Sequence, residues 1–163
     1  MKKPLKEDVI EKAYQLAYRY EREHHGCAEC TLLSIQETFN MKDDLVRKSA
    51  SGLMAGIAFM GSVCGALVGG IMALGMRYGR AKITDPVELQ LELFERILRL
   101  RDMFEKEFGS YLCRDIQKSL LGRHYDLADL YEYEEFKKAG GYEKCPMVVA
   151  KTARMVAEFL AED

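Results

Sequence analysis

The chain has no tryptophan, three prolines and three histidines among its 163 residues, and it lacks an excess of either charge: 24 Lys and Arg against 26 Asp and Glu leave a formal net charge of −2. Without a basic excess there is no electrostatic footprint for nucleic acid, and no nucleic-acid partner is expected. The opening, MKKPLKEDVIEK, returns to charged residues after Leu5 and lacks the apolar core of a secretory leader. A cytoplasmic setting is therefore expected. No internal repeat and no low-complexity linker is present, and 163 residues suffice for one domain that buries a core without disulfide staples. Five cysteines cannot all pair. In a reducing compartment, clustered thiols serve metal binding or redox chemistry more often than cross-linking.

What the chain does have is one long run without charge. Between Lys48 and Arg77 no ionisable carboxylate or base occurs, and eight of the thirteen glycines lie in residues 49–79, with Cys64 near the middle. Such a run must be buried, in a protein core or in a bilayer. Its length would suffice for a membrane span, but its glycine content and the basic residues on both flanks argue against one. It shows no alternation of period two and reads as two buried helices, or one bent helix, pivoting near Gly61-Ser62. Gly61, Gly65 and Gly69 recur every four residues and would let another helix, or a second subunit in a homodimer, approach closely. Interior glycine costs about 1 kcal/mol relative to alanine, so close contact must compensate.

The remaining segments are helical in pattern. In residues 7–22, Ile10, Ala13, Ala17 and Tyr20 repeat at helical spacing. Asp85-Pro86 predicts a helix start, with the helix running to Phe108 and stopped by Gly109. Val87, Leu91, Phe94 and Leu98 form one apolar line; Leu93, Ile97, Leu100, Phe104 and Phe108 form its neighbour. Residues 110–122 predict a short helix carrying Cys113 in its first turn, and the tyrosine-rich YEYEEF segment a partly buried surface helix. A last helix is expected from Cys145-Pro146, with the proline at the first helical position and Cys145 at the N-cap. The fold expected is all-α: one domain over 1–163, a compact bundle of five to seven helices around a central glycine-rich helix.

The thiols are the chemical signal. Cys27 follows Gly26 at a helix opening, Cys113 lies in a first turn, and Cys145 sits at an expected N-cap. A helix N-terminus offers free N–H groups and a positive dipole end, which favour thiolate, the form that ligates metal and attacks disulfides. Four helices each delivering a thiol could converge on one site. Cys27 and Cys30 share a helix face and could alternatively form a metal-free thiol–disulfide exchange pair. Spacing alone matches neither a zinc ribbon nor a ferredoxin run. Against all of this, a free cysteine is often just a small buried hydrophobe. His24 and His25 read as an exposed, solvated pair at a helix end, and His124 has no evident partner.

CAECTLLSI (27–35), SVCGALVGGIMALGMRYG (62–79), Cys113 and Cys145-Pro146 together resemble the C-GCAxxG-C-C family of redox proteins, over most of the chain. The resemblance implies that Cys27, Cys64, Cys113 and Cys145 are the redox cysteines. Cys30 stands where a small residue such as alanine is usual, which leaves open whether it is a further ligand. The expectation is an iron–sulfur cluster on four or five of Cys27, Cys30, Cys64, Cys113 and Cys145 for electron transfer with an unknown redox partner protein. Structural zinc on the same thiols is the alternative cofactor.

Overall fold

In a computed structural model the described residues are 6–162, so the first five residues of the N-terminal leader reading lie outside them. They form eight α-helices: α1 (Lys6–His24), α2 (Cys27–Thr38), α3 (Asp44–Ser49), α4 (Gly65–Tyr78), α5 (Leu91–Phe108), α6 (Cys113–Leu121), α7 (Leu130–Lys138) and α8 (Gly141–Leu160). The all-α expectation holds, with one helix more than the upper bound of seven; the extra one is the short α3, which Asp43 caps by accepting from the N–H groups of Leu45 and Val46. Among the described residues the only extended pairing is an isolated bridge between Val63 and Leu112. The centre is α1, α2, α4 and α8, with α1 laid along α8 and α2 along α4. Leu32, Ile35, Leu74, Leu100, Phe104, Val149, Val156 and Phe159 fill the interior between them and α5.

The apolar run departs from its reading. Only its second half is a helix, α4; a short 3-10 turn occupies Ser51–Leu53 and an irregular loop follows. In that loop Ala55, Gly56, Ile57, Ala58 and Phe59 have φ of 53°, 72°, 64°, 48° and 68°. This is a turn of left-handed backbone, which costs a residue with a Cβ about 1–2 kcal/mol. It is held by backbone bonds from Ala58 N to Gly52 O, Gly61 N to Ala55 O and Ser62 N to Gly56 O. At about 1.5 Å per residue, the fourteen-residue α4 is about 21 Å long, short of the roughly 30 Å of a bilayer core. Among the described residues no helix is long and apolar enough to cross a membrane.

The glycine stripe does what its spacing suggested, within the chain. Gly65 and Gly69 face Cys27 and Ala28 of α2, so that face of α4 is already covered; Gly61 lies outside the helix, against His124.

Two further expectations are corrected. The helix after Pro86 begins as a 3-10 turn (Val87–Gln90), and α5 proper starts at Leu91. Because α5 packs on α4 and α8 from one side, only the Leu93–Leu100–Phe104 stripe is buried, while Val87, Leu91, Phe94 and Leu98 stay exposed. The last helix starts at Gly141, so Cys145 and Pro146 lie inside α8 rather than at its start. Pro146 has no N–H for the Tyr142 carbonyl four residues back. That carbonyl instead accepts from Arg22 Nη1 at 2.9 Å, which lets the helix run through the proline.

Candidate functional site: four thiols around one cavity

Four chain segments meet at a cavity of about 90 Å³. Cys27 is the first residue of α2, Cys64 immediately precedes α4, Cys113 is the first residue of α6, and Cys145 lies in the second turn of α8. All four line this cavity. They are close enough that a charge on one disfavours charge on the others: Cys64 feels Cys27, Cys113 and Cys145, Cys27 feels Cys113, and Cys145 feels Cys27 and Cys113. The expected convergence is therefore present. All five cysteines are free thiols.

Local backbone explains the convergence. The Val63–Leu112 bridge, with Cys64 N donating to Tyr111 O at 2.9 Å and Cys113 N to Ser62 O at 2.7 Å, fixes the starts of α4 and α6 side by side. A Cβ on Gly65 would lie 2.9 Å from Leu53 O and closer still to Cys27 Sγ, so glycine there is what admits the sulfur. A Cβ on Gly56 would come within 2.7 Å of Cys113 Cβ, which ties the left-handed turn to the same site.

Cys30 does not join them. It opens on a second, polar pocket of about 170 Å³ with Tyr20, His24, His25, Glu29 and Arg47. Its thiol is hydrogen-bonded to the buried Glu21 carboxyl, which also accepts from Gly26 N at 2.9 Å. Burial pushes the Glu21 carboxyl up to about 7, against the opposing pull of those two hydrogen bonds. Glu21 was not singled out from the sequence, yet a signal existed: it continues the Ala13–Ala17 line at a spacing of four, on the buried face of α1.

The electrostatics of the thiols overturn the simple helix-start argument. Burial pushes Cys27 up to about 12, aided by the nearby Glu21 charge, and raises Cys30, Cys64, Cys113 and Cys145 for the same first reason. Helix ends stabilise a charge by about 0.3–1 kcal/mol, whereas full burial can shift a group by about 3–5 pK units, several times more. Still, N–H groups are aimed at sulfur: the backbones of Ala28 and Ala55 at Cys27, that of Ala66 at Cys64, and Gln117 Nε2 at Cys113 Sγ, 3.7 Å away.

Glu21, His25 and Gln117 also line the cavity, and the rest of the wall is apolar and aromatic, including Met54, Phe59, Ile116, Leu127 and Val148. Tyr142 is hydrogen-bonded to Tyr133, and its ring stacks on His25 with centroids 3.6 Å apart. Of the two histidines read as an exposed pair, only His24 is exposed; His25 is half-buried with Nδ1 unpartnered. His124 lies outside the cavity, against the Gly61 turn, and its Nδ1 is also buried without a partner. The tyrosine-rich segment is α7, a surface helix with Phe136 buried, and it closes one side of the cavity through Tyr133 and Phe136. Among the described residues no group of three or more His, Cys, Asp or Glu side chains is gathered to the point that would hold a single metal ion.

The fold and the site thus define an all-helical protein in which four buried or half-buried cysteines line one mostly apolar cavity. Residues 25–159 match the family described as "Putative redox-active protein (C_GCAxxG_C_C)", and the chain belongs to it. It is also similar, at 25% identity over 161 residues, to an uncharacterized protein of Archaeoglobus fulgidus, the match covering 95% of this chain and 97% of that protein. No solved structure matches.

Proposed function

We propose that the protein transfers electrons through an iron–sulfur cluster held by Cys27, Cys64, Cys113 and Cys145. The observation that carries this is the pairing of four thiols around one mostly apolar cavity with N–H donors aimed at three of the sulfurs. Neutral thiols need no such donors; electron-rich, ligating sulfurs do. The donor set fits: Cys₄ ligation is that of two-iron and four-iron clusters, and the thiols surround a volume instead of pinching onto a point. Such a cluster, when bound, supplies one-electron oxidation and reduction.

The chain's own residues would do the rest. The four sulfurs bind, the N–H groups of Ala28, Ala55 and Ala66 hold negative sulfur, and the wall of Met54, Phe59, Ile116, Leu127, Tyr133 and Phe136 excludes water. The raised thiol values are those of the free protein. With a cation held by the four sulfurs, the deprotonated form that burial and mutual repulsion disfavour would be the stable one.

Metal-free exchange at Cys27 and Cys30 is less well supported. The two thiols open on different pockets, and both are raised far from the thiolate an attacking group requires. Zinc on the same four cysteines is the other metal reading. Anaerobic purification with iron, acid-labile sulfide and zinc analysis tests all three. Iron with sulfide is expected, lost in Cys64→Ala and kept in Cys30→Ala. Colourless protein that takes up no iron after reconstitution refutes the proposal; stoichiometric zinc in its place supports the structural alternative.

A further inference from the structure

Among the N–H groups aimed at sulfur in the cavity, the backbone donors come with the fold, and one comes from a side chain: Gln117. It is 4% exposed, one helical turn beyond Cys113 on α6. Its amide has two ends and both are used. Oε1 accepts from Tyr125 N at 2.8 Å, and Nε2 faces Cys113 Sγ at 3.7 Å. The first bond decides the second. A backbone N–H can only donate, so the amide oxygen must turn toward Tyr125, and the NH₂ is left pointing at sulfur. Tyr125 is itself fixed, 6% exposed, with the Arg123 guanidinium over its ring at 3.9 Å and Phe136 against its edge. A buried amide costs free energy unless its groups are paired.

We infer that Gln117 is a tuning residue: by donating from Nε2 to Cys113 Sγ, it favours the electron-rich form of that sulfur, whether free or ligating, and so sets the potential at which the site accepts an electron. Only the part concerning potential rests on the cluster reading above; donation to Cys113 does not. Gln117 would touch a ligating sulfur without reacting itself, and an N–H donor on sulfur stabilises the more negative, reduced state.

The test uses the full-length protein and two variants. Gln117→Met removes the donor at nearly constant volume; Gln117→Glu, with its carboxyl ionised, removes it while keeping an acceptor for Tyr125 N–H. In metal-free, reduced protein, alkylation of Cys113 by iodoacetamide is followed by mass mapping, with Cys27 in the same molecule as reference. Loss of one hydrogen bond to a charged sulfur is expected to slow Cys113 about tenfold relative to Cys27. A merely structural role moves the rate the other way, because loosened packing exposes thiols and speeds their alkylation. In the iron-loaded protein the midpoint potential is expected to fall by about 59 mV, the one-electron equivalent of tenfold. A Cys113 rate unchanged or faster in both variants overturns the inference, even if iron is bound. Protein that binds no iron refutes the cluster reading, while the alkylation ratio still decides the role of Gln117.

Discussion

The contact between α2 and α4 positions Cys27 against Cys64, and two glycines, Gly65 and Gly69, let it form. A Cβ on Gly69 would lie 3.0 Å from the carbonyl carbon of Ala28, 3.1 Å from its Cα, and closer than either to its carbonyl oxygen. These are backbone atoms in the first turn of a helix, and they cannot rotate away as a side chain would. Gly69→Ala therefore sets two effects against each other. Helix propensity favours alanine by about 1 kcal/mol. Overpacking against an immovable neighbour costs about 1–3 kcal/mol or more. The clash wins, with an expected net loss of about 1–2 kcal/mol. Gly75 supplies the control, since it lies in the same helix with nothing within 4 Å of its added Cβ. Gly75→Ala should gain most of the propensity term, about 0.5–1 kcal/mol. Urea unfolding of the metal-free proteins, followed by far-ultraviolet circular dichroism, measures both, and the two variants should separate by about 2 kcal/mol. Gly69→Ala should also speed alkylation of Cys27 and Cys64, because the helices that enclose them must part. A Gly69→Ala protein as stable as Gly75→Ala would refute the reasoning that glycine is present for close approach.

Two other perturbations follow from the same geometry. Glu21 is raised in the folded protein to about 7 from an ordinary 4.5. The folded state thus holds a proton that the unfolded state has lost, so Glu21's contribution to stability in the metal-free protein is fully present below about pH 4.5 and is lost as pH rises through about 7. Gln in place of Glu21 should flatten that fall in stability–pH profiles; an unchanged slope would place the titration elsewhere. In the left-handed turn, Ala58 sits at φ 48°. Ala58→Gly relieves about 1–2 kcal/mol of backbone strain and adds about 0.5–1 kcal/mol of unfolded-state entropy, so melting should show a net gain of about 1 kcal/mol. A loss would mean that the turn is relaxed.

The legible features were those carried by short-range pattern. The stops at Gly109 and Gly122 were readable because left-handed backbone after a helix favours glycine, and both have it, at φ 79° and 88°. Cys27 and Cys113 were readable through their positions at helix starts, and all four cavity cysteines through the family's motif. The left-handed turn was not. Ala, Ile, Ala and Phe do not favour positive φ, and the turn exists because bonds from Ala58, Gly61 and Ser62 close it, while α6 packs beneath it. Nor could the start of α8 be read from Pro146, because the group that makes an interior proline tolerable, Arg22, lies 120 residues away.

The behaviour of the thiols shows why local rules mislead at this site. A helix start next to Cys27 or Cys113 predicts a stabilised thiolate, and for an exposed cysteine that would decide the matter. Here the same helices converge, and convergence buries the sulfurs and brings their charges together, which raises all of them. Each thiol alone is thus a poor nucleophile. On the cluster reading proposed above, the same four sulfurs would become ligands, since one positive group would relieve the repulsion among them at once. The apolar run around Cys64 serves that end: its left-handed turn directs the Ala55 N–H at Cys27, and its glycines bring Cys27 and Cys64 to the same wall. Protection of the four cavity thiols from alkylation should therefore appear together on reconstitution with iron and sulfide, with Cys30 outside the set. Protection of one or two thiols alone would mean that the cavity holds no shared group.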